Sequence, residues 1–96
     1  ICDTLFIPAV IARRGDSEAG QVMIKRNLLG GRFNVFARTV TLKGKFAWRR
    51  ATGPIPVDED AAKDLIDREV KFDPDVWVLE IEDPKEKYKF DGPIIS

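Results

Sequence analysis

Four segments in the first half of the chain have the hydrophobic and polar patterns of β-strands. They are residues 7–14, 21–26, 33–39 and 45–50. The first is apolar and rich in β-branched residues. The second and third alternate, so that Val22 and Ile24 fall on one face of a strand and Lys25 on the other. Gly30-Gly31 separates these two, and paired glycines allow the positive φ angles of a reversal. The first half therefore predicts four strands joined by turns.

Residues 58–71 have the pattern of an amphipathic helix. Asp58 fits an N-cap, and the acidic residues after it favour the positive end of the helix dipole. An apolar stripe continues through Leu65 and Ile66. The helix must end before Pro74, because a residue that precedes proline is disfavoured in the α region.

Residues 76–82 form the strongest strand pattern in the chain. Trp77 and the alternate residues after it share one face, while Val76 and Val78 fall on the other. Both faces of this strand therefore carry apolar surface, which predicts either a helix on each side or one side open to a partner.

The chain closes with a turn and a further predicted strand. Residues 83–86 (D-P-K-E) fit a type I turn, and residues 87–90 are then expected to return as an antiparallel hairpin partner. The predicted fold class is α+β, a mainly antiparallel sheet of five to six strands with one main helix, about 58–71, packed on it. The predicted core consists of Trp77, Leu79, Ile81, Leu65, Ile66, Val22, Ile24, Val10, Phe33 and Val35.

Composition describes an ordinary globular chain. Hydrophobic residues make up 44% and charged residues 33% of the 96 residues, which we interpret as a single domain, 1–96. No apolar run approaches the roughly 20 residues that span a bilayer, so we expect no membrane partner. The single cysteine, Cys2, cannot form an internal disulfide, and this favours a cytoplasmic location.

Charge is divided unevenly between the two halves of the chain. Residues 1–50 contain ten Lys or Arg and three Asp or Glu, whereas residues 51–96 contain six and thirteen. The total net charge is zero. The simplest interpretation is that basic strands lie beside acidic elements and the two sets of charges neutralise each other.

Three blocks of sequence resemble a family of short, functionally uncharacterised alphaproteobacterial proteins that is classed as a domain of unknown function. The first block is I-P-A-V (7–10) through R-R-G-D (13–16), A-G (19–20) and I-K (24–25). The second is Trp48, and the third is F-D-P-D-V-W-V (72–78) through E-I-E-D (80–83). The chain departs from the family pattern at 63–65 (K-D-L), where an aspartate–alanine–tyrosine run is expected, and at Tyr88, where histidine is expected.

The resemblance implies a fold and a bacterial source but no activity, since none is established for the family. It also implies that a strand and a helix precede the first block. The single domain is therefore expected to lack an N-terminal strand and helix, and residues 1–5 are expected to be the remnant of that helix.

The residues available for chemistry are few. The chain has no histidine, which excludes Ser-His, Cys-His and histidine–metal sites within it, and it lacks the glycine motifs that bind phosphate. We predict no catalytic residue, no cofactor and no metal site. One alternative uses carboxylates: Glu80 and Glu82 share a strand face near Asp73, Asp75 and Lys85, which suggests a metal-dependent hydrolase.

The stronger alternative, ahead of the hydrolase, is a nucleic-acid-binding domain that uses the basic N-terminal half. Basic residues interleaved with aromatic residues on a sheet can contact phosphates and stack on bases. This interpretation requires Phe36, Arg38 and Trp48 to lie on one exposed face.

The leading interpretation is a non-catalytic interaction module that binds an unknown protein partner or forms a homodimer. Apolar surface on both faces of strand 76–82, and the basic residues of the first half, favour this interpretation. The candidate interaction surface consists of Arg13, Arg14, Arg38, Trp48, Arg49, Val76 and Val78.

Overall fold

A computed structural model describes residues 7–16, 21–40, 43–90 and 92–95. Its elements, in chain order, are β1 (Ala9–Arg13), β2 (Val22–Asn27), β3 (Phe33–Val40), β4 (Phe46–Arg50), α1 (Glu59–Phe72), β5 (Trp77–Glu82) and β6 (Ile94–Ile95). The α+β class is confirmed, with six strands and one helix in the described residues.

The six strands form one sheet in the order β1-β5-β2-β3-β4-β6. The pairs β1/β5, β2/β3 and β3/β4 are antiparallel, whereas β2/β5 and β4/β6 are parallel. The sheet is therefore mixed rather than purely antiparallel. β5, the strand that follows α1, lies between β1 and β2. Strands from the early and late parts of the sequence are therefore neighbours in the sheet.

The helix begins and ends where its sequence predicts. The Asp58 carboxylate accepts a hydrogen bond from the Ala61 backbone N–H at 2.8 Å, and the Asp73 N–H donates to the Glu69 carbonyl. α1 packs against β3 and covers a mostly aliphatic core. The buried side chains of this helix-side core are Met23, Phe33, Val35, Ala62, Val76 and Val78.

The opposite face of the sheet buries a second core made mostly of larger side chains. Its buried members are Ile7, Ile24, Phe36, Trp48 and Ile81. Residues 87–90, which we call the strap, cross this face without forming a strand. The Phe90 ring centroid lies 4.6 Å from that of Phe36 and 5.4 Å from that of Trp48. The strap therefore takes the covering role that α1 has on the other face.

The predicted hairpin at the end of the chain is wrong. The turn exists, since the Glu86 N–H donates to the Asp83 carbonyl at 3.1 Å, but residues 87–90 do not pair with β5. Both edges of β5 are occupied, by β1 and β2, and no free edge remains for a hairpin partner. The Asp83 carboxylate accepts from the N–H groups of Lys87 and Tyr88, which directs the chain onto the sheet face instead.

The predicted core also needs correction. Val10 is 62% exposed because β1 is the outer strand, and Trp77 and Leu79 are only half-buried. Val78 is 2% exposed because α1 covers its side of β5. The prediction that both faces of this strand carry apolar surface is correct.

Candidate interaction surface

α1 covers only part of its face of the sheet. A helix is about 10 Å across, whereas six strands about 4.8 Å apart span more than twice that width. α1 lies over β3 and reaches Arg49 of β4, whose guanidinium is 3.5 Å from the Glu69 carboxylate. Beside it, at Glu80 of β5 and the end of β1, a groove of about 400 Å³ is left uncovered by the described residues. We call it the open groove; its lining residues are Ala12, Arg13, Lys25, Lys63, Ile66, Asp67, Val70, Val78 and Glu80.

The open groove has an apolar floor and paired charges. Val78 forms its buried floor, and Ile66 and Val70 of α1 form a half-buried wall. Lys25 Nζ lies 3.6 Å from the Glu80 carboxylate, and on α1 the exposed Lys63 and Asp67 lie 3.2 Å apart. Because cations and anions alternate around the groove, its electrostatics suit an amphipathic surface rather than a polyanion.

Three of the seven residues proposed from the sequence lie at the surface on the helix side or at the end of β1. Arg13 lines the open groove, where its Nη1 donates to the Val76 carbonyl at 2.9 Å. Arg14 is exposed, with its guanidinium 6.0 Å from the centre of the Trp77 ring. Arg49 is exposed and pairs with α1.

The other four residues are divided between the cores and the opposite face. Val76 and Val78 are 3% and 2% exposed beneath α1, and Trp48 is 4% exposed beneath the strap. Arg38 lies on the strap side, with its guanidinium 4.4 Å from the Phe46 ring centre. The seven residues therefore do not form one surface, and only Arg13 and Val78 line the open groove.

The groove wall on α1 was not predicted from the sequence. Ile66 and Val70 are four residues apart on one helical face, and the sequence pattern treats such residues as core. One signal was available in the sequence: a sheet of five or six predicted strands is wider than the single predicted helix that packs on it, so part of the sheet is left uncovered.

The first and third family blocks contact each other in space. The Trp77 indole N–H donates to the Asp16 carbonyl at 2.8 Å, and the Asp16 N–H donates to the Asp75 carbonyl at 2.9 Å. A Cβ at Gly15 would lie 1.9 Å from the Asp75 carbonyl oxygen, so only glycine fits there. The R-R-G-D and F-D-P-D-V-W motifs thus join the end of β1 to the start of β5, a structural role.

A buried ion cluster holds the strap in place. Arg26 and Asp83 are each 3% exposed and lie 3.9 Å apart, and Arg26 also pairs with Glu86 at 2.9 Å. Burial lowers the pKa of the Arg26 guanidinium, and the carboxylates of Glu86 and Asp83 oppose that shift. These pairs, like Lys25–Glu80 and Arg49–Glu69, join the basic half of the sequence to the acidic half, as predicted.

The carboxylates proposed for a hydrolase are not gathered into a site. Glu80 pairs with Lys25, and Glu82 is exposed at the end of β5. Across residues 7–16, 21–40, 43–90 and 92–95, no three His, Cys, Asp or Glu side chains are placed to hold a metal ion. Within the same ranges, no helix is long and apolar enough to cross a membrane.

Comparisons with known proteins identify the family. The chain is similar to a DUF1491 family protein from Caulobacter crescentus CB15: a crystal structure matches with TM-score 0.81 and 26% identity over 98% of this chain and 87% of that one. An NMR structure of a protein of that family from the same organism matches with TM-score 0.77 and 28% identity, over 99% and 86%. The solution structure of protein Atu0922 from A. tumefaciens matches with TM-score 0.67 and 26% identity, over 83% and 73%.

No curated protein matches the chain. The family model for proteins of unknown function, DUF1491, matches residues 1–91. Because this model matches nearly the whole chain, the protein belongs to the DUF1491 family.

Proposed function

We propose that this protein is a non-catalytic interaction module that binds a protein partner in the open groove, and that the bound part of the partner is an amphipathic helix. The observation that carries the proposal is the half-covered helix-side face. α1 covers β3, reaches β4 and buries Val76 and Val78 of β5, while among the described residues nothing covers the surface beside it, at Glu80 and the end of β1.

The dimensions of the groove favour a helix as the occupant. One helix packed on a sheet occupies about 10 Å, roughly the width of two strands. Such a helix would lie beside α1 and place its apolar stripe on Ile66 and Val70. This is the helix-in-groove mode of recognition.

Charge supports a protein rather than a small ion as the occupant. Lys25, Glu80, Lys63 and Asp67 already neutralise one another, so a partner need not carry a large charge of one sign. Polar residues flanking an apolar stripe would meet these pairs at the rim, where they contribute specificity more than affinity. The single cysteine favours a reducing compartment, and we place the module in the cytoplasm.

Nucleic-acid binding has less support. Phe36 and Trp48 are 0% and 4% exposed beneath the strap, so neither ring is accessible for stacking on a base. Arg38 and Arg49 face opposite sides of the sheet, since Ala37, the Cα partner of Arg49, adjoins Arg38 in β3. We therefore do not propose nucleic-acid binding, and the experiment below includes a nuclease arm that tests for it.

The test compares two glutamate substitutions on α1. Val70→Glu places a charge in the wall of the open groove, whereas Phe72→Glu changes a side chain that is 89% exposed and does not line it. Both variants and the wild type are used for affinity capture from extract of the source organism, with and without nuclease. Circular dichroism must first show that both variants are folded.

The expected result is a nuclease-resistant protein that is retained by the wild type and Phe72→Glu and lost with Val70→Glu. A helical peptide from that protein should then shift amide resonances of the groove residues. If Val70→Glu retained this protein as well as the wild type does, the open groove would not be the binding site. Retention of nucleic acid alone, declining as salt rises, would favour the alternative.

A further inference from the structure

The direction of α1 along β5 defines two ends of the open groove. The Val76 N–H donates to the Asp73 carbonyl at 3.2 Å, so the C-terminal end of α1 lies at the start of β5. In the first turn of α1, Glu59 lies 3.9 Å from Lys25, which also lies 3.6 Å from Glu80 further along β5. α1 therefore runs antiparallel to β5. We call the two ends of the groove the Val76 end and the Glu80 end.

The two ends differ in charge. At the Val76 end, Arg13 Nη1 donates to the Val76 carbonyl at 2.9 Å, which holds the guanidinium in place there. At the Glu80 end, the Glu80 carboxylate pairs with Lys25, so the two charges offset each other. The C-terminal end of a helix is the negative end of its dipole. A helix bound in the groove is therefore stabilised when its C-terminal end lies beside Arg13.

The wall of the groove on α1 gives a second, independent preference. Lys63 and Asp67 lie on successive turns, with side chains 70% and 57% exposed. A neighbouring helix that runs in the same direction as α1 complements them with glutamate followed four residues later by lysine. A helix that runs in the opposite direction needs lysine first. Because glutamate before lysine is the order that stabilises a helix more, the wall favours a parallel neighbour.

We propose, building on the function proposed above, that the helix bound in the open groove runs parallel to α1 and carries the charge pattern Glu-x-x-x-Lys beside its apolar stripe. Its glutamate pairs with Lys63 and its lysine with Asp67, while the apolar stripe packs on Ile66 and Val70. The C-terminal end of the bound helix then lies beside Arg13. The partner is thereby identified as an amphipathic helix in which an acidic residue precedes a basic residue by one turn.

The opposite orientation is disfavoured by both features of the groove. It brings the positive end of the helix dipole to the Arg13 guanidinium. It also requires the order Lys-x-x-x-Glu in the partner, which stabilises an isolated helix less. Contacts at exposed charges are individually weak, so the apolar stripe supplies most of the affinity and the charges decide the direction.

The first test measures the direction with a designed probe. The probe is a peptide with one apolar stripe and a single Glu-x-x-x-Lys pair beside it, labelled with a nitroxide at either its N-terminal or its C-terminal end. The C-terminal label should broaden the amide resonances of Arg13 and Val70. The N-terminal label should broaden those of Lys63 and Glu80. The reverse pattern would overturn the parallel orientation.

The second test measures the charge pattern. A peptide of the same composition with the order Lys-x-x-x-Glu should bind the wild type about fivefold more weakly, because it lacks the favourable rim and dipole contacts. The double variant Lys63→Asp, Asp67→Lys should weaken binding of the Glu-x-x-x-Lys peptide by a similar factor, although it keeps the net charge. Asp64→Arg, Arg68→Asp is the matched control, since this exposed pair lies on α1 but does not line the open groove. Circular dichroism confirms that both double variants are folded.

These outcomes separate the orientation from the proposed function. Equal affinity of the two peptides for the wild type, or equal weakening by the two charge swaps, would overturn the assigned charge pattern. If neither peptide binds the wild type, the inference fails, and affinity capture with Val70→Glu decides the proposed function by itself. A natural partner that is lost with Val70→Glu would still support the open groove as a binding site.

Discussion

The two faces of the sheet are covered in different ways. On one face a regular helix lies over a mostly aliphatic core that includes Met23, Val35 and Val78. On the other, the strap lies over Phe36 and Trp48 without forming regular structure. The helix satisfies its own backbone hydrogen bonds, whereas the strap depends on a side chain, Asp83, to accept two of its N–H groups.

This difference shows that α1 and the strap are held in place by different kinds of interaction. The helix is specified locally, by a cap, an apolar stripe and a proline stop, and it would be expected in many folds. Apart from the two local bonds to Asp83, the strap is specified by tertiary contacts, and Phe90 packs against Phe36 and Trp48 beneath it. The strap-side core should therefore be the more sensitive to single substitutions.

The largest effect is expected from truncating the centre of the strap-side core. Phe36→Ala should lower the free energy of unfolding by about 4 kcal/mol, because the ring is fully buried and contacts Phe90. Met23→Ala is the counterpart on the helix side, with an expected loss of about 3 kcal/mol. Urea unfolding measures both. A smaller loss for Phe36→Ala than for Met23→Ala would contradict the comparison.

Removing the anchor of the strap should come next. Asp83→Ala leaves two strap N–H groups without their acceptor and removes a carboxylate beside buried Arg26, which should cost about 3 kcal/mol. Asp83→Asn should cost less, since its amide oxygen still accepts one of the two bonds. Equal losses for the two substitutions would mean that charge, not the N–H contacts, holds the strap.

Truncating the strap itself should affect one face only. Phe90→Ala should cost about 2 kcal/mol, since the ring is half-buried against Phe36 and Trp48. In a Trp77→Phe background, Trp48 fluorescence should shift to the red, while amide-exchange protection in α1 stays unchanged. Phe72→Ala, at an 89% exposed position, is the near-neutral control. Loss of protection in α1 would show that the two faces are coupled.

The smallest effect is expected at the ion pair between α1 and β4. Arg49 and Glu69 lie 3.5 Å apart, with side chains 46% and 39% exposed. Solvent screens such a pair, so Glu69→Gln should cost less than about 0.5 kcal/mol, and less still in high salt. Thermal unfolding at two ionic strengths measures this. A loss comparable to that of Phe90→Ala would mean that the pair positions α1.

Local elements were predicted well from the sequence, and their arrangement was not. The start of α1 at Asp58 and its end before Pro74 follow from capping and from proline geometry, which act within a few residues. The hairpin at 87–90 was wrong because a turn predicts a reversal but not whether the neighbouring edge is free. That edge was taken by β1, more than sixty residues earlier in the chain.

The interaction surface was harder to predict than the fold. Val76 and Val78 were chosen because the strand is apolar on both sides, yet a strand pattern cannot say which side a single helix covers. The residues of α1 that line the open groove, including Lys63, became candidates for the interaction surface only once the structure placed α1 over β3.

The sequence by itself determined the α+β class, the bounds of the helix, the strand segments of the first half and the pairing of basic with acidic regions. These features depend on short-range periodicity, capping and total charge. Only the tertiary structure shows that β5 lies between β1 and β2 and that the strap covers a face containing Phe36 and Trp48. Those outcomes depend on which strands compete for the same hydrogen-bonding edge, and this competition involves residues far apart in the chain.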